Sequence, residues 1–267
     1  MSNAVAPAVH PADEGYPNRA YAWYVVGVLL LIYILAYVDR QVLGVLVEPI
    51  KRDLDISDTQ MSLLLGFAFA MFYTIVGLPM GRLADRSNRR NLVLAGVGVW
   101  SFATAMCGFA KSYTQLFLAR MGVGLGEACL NPAVVPMLSD YFPRRTLGKA
   151  MGVYMLGVSI GGGLAHSVGG AYLPALTAAE PIQLPVVGAI LPWQALLLML
   201  GVTGFLMLAL LLTVREPKRH GELRRDEKGR IVNLPVREVG AHLMRHRMAY
   251  LAIGWPLVTS ALMTFGV

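Results

Sequence analysis

Long uncharged stretches alternate with short charged ones along the chain. The uncharged stretches are 22–38, 59–81, 91–110, 128–139, 150–179, 181–214 and 248–267. A soluble amphipathic helix would carry polar residues every three or four positions on its outer face, and these stretches show no such stripe. Most of them reach the length of about 20 residues that crosses a bilayer core. The pattern therefore predicts an all-α protein that crosses a membrane several times.

Seven membrane helices are expected, near 22–48, 59–80, 91–110, 113–139, 149–173, 191–214 and 248–267. Ser57 followed by Gln60 forms a capping-box pattern, which marks the start of the second helix. The chain is thus divided into a disordered cytoplasmic tail, a six-helix membrane domain, a charged cytoplasmic linker and the start of a seventh helix, at 1–20, 21–214, 215–247 and 248–267. This layout is typical of the first part of a longer membrane protein.

Basic residues lie mostly on one side of the predicted membrane. The tail and the segments 81–90, 144–149 and 215–247 hold 18 of the 23 Lys and Arg residues. The loops on the other side hold three, namely Lys51, Arg52 and Lys111. Because cytoplasmic loops carry the excess of Lys and Arg, the sequence predicts a multi-pass protein of the plasma (bacterial inner) membrane whose N-terminus is cytoplasmic.

Composition changes this picture little. The chain is 56% hydrophobic and 15% charged, against roughly a quarter charged residues in a typical globular protein. Its net charge of +7 is distributed loop by loop, whereas a nucleic-acid-binding protein gathers basic residues into one patch. The linker after the sixth helix is expected to be solvated, with contact to anionic lipid head groups as the alternative. Both cysteines fall in apolar stretches, so no disulfide, metal or cofactor is expected.

The segment at 81–90, GRLADRSNRR, joins the second and third predicted helices. It resembles the signature of the major facilitator superfamily for this loop, G-x-L-a-D-R-x-G-R-R/K, at six positions: Gly81, Leu83, Asp85, Arg86, Arg89 and Arg90. Gly81 would permit close helix approach, and Asn88 replaces the second glycine because asparagine tolerates left-handed backbone angles. The resemblance implies the N-terminal six-helix bundle of that superfamily. It also assigns these residues, Leu83 aside, the role of a conformational latch that stabilises an outward-open state.

Residues 119–132 read ARMGVGLGEACLNP and place two opposite charges inside a predicted span. The part from Arg120 to Gly126 resembles the R-x-x-x-G-x-G motif of fourth helices in the same superfamily. That resemblance links Arg120 to proton coupling. The glycines at 122, 124 and 126 predict tight packing against a neighbouring helix.

A finer resemblance is to Spinster-like transporters, a branch that transports lysolipids and sphingolipids. It rests on YVDRQ at 37–41, LPMGRLADRSNRR at 78–90, WSFAT at 100–104, ARMGVGLGEA at 119–128 and SDYFPR at 139–144. Related bacterial carriers of organic anions share part of this pattern. The resemblance implies a lipid-like or amphiphilic anionic substrate, with small organic anions such as sugar acids or aromatic acids as the alternative.

Five ionisable residues interrupt the predicted spans: Asp39, Arg40, Arg120, Glu127 and His166. A charge inside a bilayer costs at least about 2.5–3.5 kcal/mol, so it faces a cavity or a charged partner. From the helical rise, Asp39 and Arg120 both lie roughly 10–13 Å from the outer ends of their helices, which predicts that they can meet. Arg120 and Glu127 lie almost two turns apart and therefore share a face.

We predict that Glu127 and Asp39 bind the coupled protons, with Arg120 and Arg40 as their charge partners. A nearby arginine stabilises the charged form of a carboxylate, so displacing the arginine changes proton affinity. The candidate substrate-binding residues are Arg40, Arg120, Glu127 and His166, since a guanidinium binds phosphate or carboxylate. Two simpler interpretations stay open: a static ion pair that joins the first and fourth helices, and a histidine that only hydrogen-bonds within the bundle.

Gly157-Val158-Ser159-Ile160-Gly161 fits the G-x-S-x-G pattern of serine hydrolases, and His166 follows seven residues after Ser159. That nucleophile elbow requires a strand-to-helix turn, whereas this stretch lies in the middle of a predicted membrane helix. Its glycines have the spacing of helix packing instead. The sequence therefore does not predict an enzyme.

These features together predict a proton-coupled secondary transporter that works by alternating access about a midplane site. Its expected partners are the substrate, protons, membrane lipids and the C-terminal half of the same transporter, and the complete protein is expected to be a monomer. Symport and antiport both stay open, because Gly157 and Gly161 give only a packing spacing and not the proline-containing antiporter signature. A non-transporting scaffold or receptor is the third interpretation.

Overall fold

The structure is a computed structural model that describes residues 15–178, 182–184, 188–220, 242 and 244–248. Its helices are α1 (Arg19–Val45), α2 (Val47–Leu54), α3 (Asp58–Arg86), α4 (Arg89–Gly108), α5 (Tyr113–Glu127), α6 (Leu130–Tyr141), α7 (Arg144–Ala178) and α8 (Pro192–Leu211). Two short strands, β1 (Ile182–Leu184) and β2 (Gly188–Ile190), pair antiparallel between α7 and α8. The chain divides into one compact unit that ends at His220 and a second that begins at Gly221.

Six helical segments within the described residues are long and apolar enough to cross a membrane: Arg19–Val45, Asp58–Arg86, Arg89–Gly108, Tyr113–Tyr141, Arg144–Ala171 and Pro192–Leu211. They confirm the predicted six-helix membrane bundle. The first begins at Arg19 rather than at residue 22, so the last residues of the predicted tail are helical. The tail before residue 15, most of the linker and the seventh helix after Met248 lie outside the described residues.

Side-chain caps set the starts of several helices. Asn18 accepts a hydrogen bond from the backbone of Ala20 at the start of α1. Ser57 and Gln60 form the predicted capping box at the start of α3. Asn88 accepts from the Asn91 N–H at 2.8 Å and begins α4. Each of these side chains satisfies a backbone donor that the first turn of a helix leaves without a partner.

The fourth predicted helix, expected as one continuous helix over 113–139, is interrupted. α5 ends at Glu127 and α6 begins at Leu130, with Ala128 and Cys129 in a turn between them. Pro132 explains the break, because proline has no N–H to donate to the carbonyl of Ala128 and its ring would clash with that carbonyl. The interruption puts the end of α5 in the middle of a membrane span.

The core of the bundle is formed by α1, α4 and the α5–α6 pair, which are more than half buried. α1 packs mainly on α7, and α4 packs on α5 and α8. α3 packs on α5, yet most of α3 and α7 remains exposed. Asp39 of α1 and Arg120 and Glu127 of α5 are buried in this core, where helix–helix contacts determine their partners.

Candidate functional site

Two ion pairs join α1 to α5. Arg40 Nη2 lies 2.5 Å from Glu127 Oε2, and Arg120 Nη1 lies 3.5 Å from Asp39 Oδ2. Asp39, Arg120 and Glu127 are each 1% exposed, whereas the Arg40 side chain keeps 20% of its surface accessible. We call these four residues the membrane charge cluster. Arg40 is the member of the cluster that a ligand can reach.

Neighbouring backbone and side chains hold the deeper pair. Arg120 donates to the backbone carbonyls of Asp39 and Arg40 at 3.4 and 3.2 Å. Thr104, from α4, donates its hydroxyl hydrogen to Asp39 Oδ2 at 3.0 Å. Sequence reasoning did not single out Thr104, since a threonine in an apolar span carries no pattern of its own. The Asp39–Arg120 pair is thus anchored to three helices.

Aromatic rings surround the arginines. The Arg40 guanidinium lies over the rings of Tyr37, Phe69 and Tyr73, with centroid distances of 5.0, 4.5 and 5.2 Å. The same Phe69 ring also lies 5.2 Å from the Arg120 guanidinium. Such cation–π contacts stabilise a partly desolvated cation by about 0.5–2 kcal/mol. Phe69 therefore holds both arginines, one from each ion pair.

Two motif glycines of α5 place these elements against each other. A Cβ atom at Gly124 would lie 2.7 Å from the backbone oxygen of Phe69. A Cβ atom at Gly126 would lie 2.5 Å from the backbone nitrogen of Trp100 on α4. Gly122 is less confined, since its Cβ would lie 3.0 Å from the Ala103 side chain. The first two glycines are required because backbone, which cannot move aside, occupies the space of a side chain.

α3 reaches the cluster through an irregular turn. Residues Leu63–Phe67 form a π-helical turn directly before Phe69. A π-helical turn inserts an extra residue into the helix and so changes the direction of the side chains around it. Phe69 is buried and stacks on Tyr73 with a centroid distance of 5.4 Å, whereas Phe67 is 52% exposed.

Several polar atoms of the membrane charge cluster retain bonding capacity. Among the described residues, no hydrogen-bond partner is found for Glu127 Oε1, Arg40 Nε or Arg120 Nε. A buried polar atom without a partner costs about 1–3 kcal/mol. The arrangement is suited to bind something further, such as a proton on Glu127 or an anion on Arg40.

His166 is not a member of either ion pair. It is exposed on α7, and its Nδ1 lies 2.8 Å from the carbonyl oxygen of Gly162 on its own helix. No described hydrogen bond or ion pair joins it to the membrane charge cluster. Gly157 and Gly161, which flank Ser159, lie against the Tyr33 and Tyr37 side chains of α1. The G-x-S-x-G stretch is thus a packing surface within a helix and not a nucleophile elbow.

A second group of charges lies at the end of the bundle where α1 begins. We call Arg89, Asp140, Glu216 and Arg219 the loop charge cluster. Arg89 pairs with Asp140, and Glu216 accepts from the backbone N–H groups of Arg89 and Arg90 at 3.0 and 2.7 Å. Arg219 donates to the carbonyls of Ala84, Asp85 and Ser87, at the end of α3.

The structure differs from two expectations for the GRLADRSNRR loop. A Cβ atom at Gly81 would meet nothing within 4 Å among the described residues, so this glycine does not mark a close helix approach there. Asn88 has φ −67° and ψ 114°, so its role is that of a helix cap and not of a left-handed residue. Asp85 and Arg86 are exposed. Arg90 donates to the Leu212 carbonyl at 2.8 Å.

Comparison with known proteins shows which proteins this chain is similar to in sequence. Over 166 residues the chain is 36% identical to the "MFS-type efflux pump" of Mycolicibacterium smegmatis, covering 59% of this chain and 38% of the relative. It is 32% identical to the "Probable L-galactonate transporter" of Escherichia coli, covering 67% and 36%. The chain therefore spans less than half the length of these relatives.

A solved structure agrees with the fold. The inward-facing, unoccupied structure of a bacterial homologue of the human lysosomal transporter Spinster matches with a TM-score of 0.68 and 34% identity, over 79% of this chain and 47% of that one. The sequence also matches the Major Facilitator Superfamily over residues 29–267. The chain belongs to the Major Facilitator Superfamily, a family of membrane transporters and not of enzymes.

Proposed function

We propose that the chain is the N-terminal half of a proton-coupled secondary transporter for a lipid-like or amphiphilic anion. The observation that carries this proposal is the Arg40–Glu127 pair, in which a reachable guanidinium is neutralised by a buried carboxylate with one oxygen unoccupied. The substrate class is the one that the resemblance to Spinster-like transporters implies, and the similarity to the bacterial Spinster homologue supports that branch. Transport would proceed by alternating access, with a C-terminal half forming the other wall of the cavity.

The coupling step is an exchange of partners at Arg40. While Glu127 is ionised, it occupies the guanidinium, and an incoming anion must compete with it. A proton that binds Glu127 removes the negative charge and frees Arg40 for the phosphate or carboxylate of the substrate. The cluster is neutral before and after the exchange, so it avoids the cost of an unpaired charge in the membrane.

The deeper pair supplies a second acid. Asp39 is held by Arg120 and Thr104, and a proton on Asp39 would loosen Arg120 from α1. We propose that Asp39 and Arg120 relay the proton or couple its binding to movement of α1 against α5. His166 could contribute to substrate binding through the accessible face of α7, without a described hydrogen bond or ion pair to the membrane charge cluster.

The loop charge cluster is proposed as part of the conformational latch. In this proposal Gly81, Asp85, Arg86, Arg89 and Arg90 lie on the cytoplasmic side of the inner membrane, as the distribution of basic residues predicts. Arg89 and Arg90 present the first N–H groups of α4 to Glu216, so their release would free the segment after α8. The latch would stabilise the outward-open state.

A second candidate function is the transport of small organic anions such as sugar acids. The similarity to the L-galactonate transporter of Escherichia coli supports it. The coupling step is the same in both candidates, and they differ only in the part of the substrate to which the anionic group is attached.

The test is uptake into proteoliposomes that hold the full-length protein, driven by an inward proton gradient. Lysophosphatidylglycerol and L-galactonate serve as the two probe substrates. Glu127→Gln should abolish accumulation driven by the gradient while exchange of preloaded substrate continues. Glu48→Gln, on the exposed helix α2, is the matched control and should behave as the wild type. Unchanged gradient-driven uptake in Glu127→Gln would refute the proposed proton role.

A further inference from the structure

A phenol–amide group lies beside the membrane charge cluster. Asn131 of α6 donates from Nδ2 to the Tyr73 hydroxyl oxygen of α3 at 3.3 Å, and its Oδ1 accepts from the Tyr154 hydroxyl of α7 at 3.1 Å. Tyr154 also stacks on Tyr33 of α1, with ring centroids 4.4 Å apart. Side chains from four helices thus converge on one amide.

The group is directly connected to the anion site. The Tyr73 ring that contacts Asn131 through its hydroxyl also lies 5.2 Å from the Arg40 guanidinium. Asn131 follows Glu127 by four residues, across the break between α5 and α6, which corresponds to roughly 6 Å along the helix axis. Asn131 and Tyr73 therefore extend the site from Arg40 toward the end of the bundle where α1 begins.

The members of the group differ in burial. Tyr154 is fully buried, and its hydroxyl is used by Asn131. Asn131 and Tyr73 are half-buried. Proteins fix the geometry of an accessible binding group by hydrogen-bonding it to a buried side chain. Tyr154 is thus a positioning residue, and Asn131 and Tyr73 are the groups in position to meet a ligand.

Both half-buried groups can still bond to a ligand. A phenol that accepts a hydrogen bond still has its own hydrogen to donate, and an amide oxygen has two lone pairs. Asn131 donates to Tyr73, accepts from Tyr154 through one lone pair and also hydrogen-bonds Tyr33. The Tyr73 hydrogen and the second lone pair of Asn131 fit a ligand hydroxyl, which both accepts and donates, whereas a plain acyl chain would leave them without partners.

We propose that Asn131 and Tyr73 form a hydroxyl-binding subsite beside the anion site at Arg40. The substrate is then an anion with hydroxyl groups close to its charged group, from either a sugar acid or a glycerol-type lipid head group. This inference rests on the proposed anion binding at Arg40. It adds a requirement that the anion site alone does not impose, since Arg40 does not distinguish a hydroxylated anion from an unsubstituted one of equal charge.

Binding to the purified full-length protein tests the subsite with two matched probe pairs. One pair is D-gluconate and hexanoate, and the other is lysophosphatidylglycerol and hexadecyl methyl phosphate, a phosphodiester with the same single charge. The wild type should bind the hydroxylated member of one pair roughly tenfold more tightly, the value of one good hydrogen bond. The pair that shows the preference identifies the source of the anion.

Three variants separate this subsite from a role in folding. Asn131→Leu should remove the preference and leave the affinity for the unsubstituted anion unchanged. Tyr154→Phe should reduce the preference, because it removes the hydroxyl that orients the amide. Thr203→Val is the control, since this half-buried threonine of α8 hydrogen-bonds only the Met199 carbonyl within the described residues, and the preference should persist.

The outcomes separate the two proposals. If both members of each pair bind equally, or if Asn131→Leu weakens both members equally, the subsite is overturned while the anion site stands. If no anion binds to the wild type, the proposed function and the subsite fail together. Loss of anion binding in Arg40→Gln, together with a hydroxyl preference that persists in Thr203→Val and is lost in Asn131→Leu, would support both.

Discussion

The membrane charge cluster and the loop charge cluster differ in how completely their charged side chains are hydrogen-bonded. In the loop charge cluster, both oxygens of Asp140 and both of Glu216 accept hydrogen bonds, partly from backbone N–H groups. In the membrane charge cluster, Glu127 Oε1 and two arginine Nε atoms have no partner among the described residues. The cluster that lies deeper in the bundle is thus the one that is less completely hydrogen-bonded.

This difference indicates different roles. Backbone groups at the ends of α3 and α4 need partners in any conformation that keeps these helices, so charges bound to them act as caps and ties. Arg40 and Glu127 bond to each other through their side chains, so they can exchange partners without unfolding a helix. Buried polar atoms without hydrogen-bond partners are costly inside a membrane. We expect such atoms where a proton or a ligand supplies the missing bond.

The largest effect is expected from breaking one pair of the membrane charge cluster. Arg40→Gln leaves the buried Glu127 carboxylate without its partner and should lower the free energy of unfolding by about 3–5 kcal/mol. Arg40→Gln/Glu127→Gln should recover most of this loss because no charge is left buried. Denaturant-induced unfolding in detergent measures both, and equal stability of the single variant and the wild type would contradict the interpretation.

A smaller effect is expected from moving the ring that covers both arginines. Gly124→Ala places a methyl group against the Phe69 backbone and should cost about 1–3 kcal/mol, as overpacking does. It should also weaken anion binding, because Phe69 shifts away from Arg40. Gly77→Ala is the matched control in α3, where an added Cβ meets nothing within 4 Å. Thermal midpoints and anion affinities of the two variants should differ, and similar values would rule out the proposed packing role.

Breaking the loop charge cluster should have a still smaller effect on stability. Glu216→Ala removes the carboxylate that accepts from the first N–H groups of α4, a capping contact of about 0.5–2 kcal/mol. Proton uptake on anion binding should stay as in the wild type. Lys218→Ala, exposed two residues later, serves as control in the same unfolding assay. A loss as large as that of Arg40→Gln would remove the distinction between the clusters.

The smallest effect is expected at an exposed pair outside the spans. Lys51 donates a hydrogen bond to Asp58, which raises the pKa of that lysine above its ordinary value of 10.5. With a raised pKa the contribution to stability is present below about pH 10.5 and is lost as the pH rises through the folded-state value. Because the pair is solvated, Lys51→Met should leave the thermal midpoint at pH 7 unchanged. A clear shift of the midpoint would show that exposure to solvent does not explain the difference in strength between this ion pair and the buried ones.

The membrane bundle could be predicted because a bilayer requires long apolar helices with internal backbone bonding. The six spans follow directly from that requirement. The break after Glu127 does not follow from the apolar pattern, which continues across it, and only the missing N–H of Pro132 indicates it in the sequence. Helix ends such as that at Arg19 depend on local caps, which hydropathy does not report.

The candidate site could be predicted in part. Charged residues inside spans are conspicuous, so Asp39, Arg40, Arg120 and Glu127 were identified from sequence. Their pairing, Asp39 with Arg120 and Arg40 with Glu127, depends on how α1 and α5 are rotated about their axes, which spacing does not determine. Thr104, Tyr37 and Asn131 are common residue types in membrane helices, and only the packing of other helices brings them to the site.

Proton uptake on anion binding tests the central claim most directly. When the anion identified by the binding assay is added to the weakly buffered full-length protein, a pH indicator reports protons taken up at the moment of binding. Because a proton on Glu127 must accompany the anion on Arg40, the wild type should take up about one proton per anion bound. Glu127→Gln should bind the anion and take up none. Equal proton uptake by Glu127→Gln and the wild type would contradict the account.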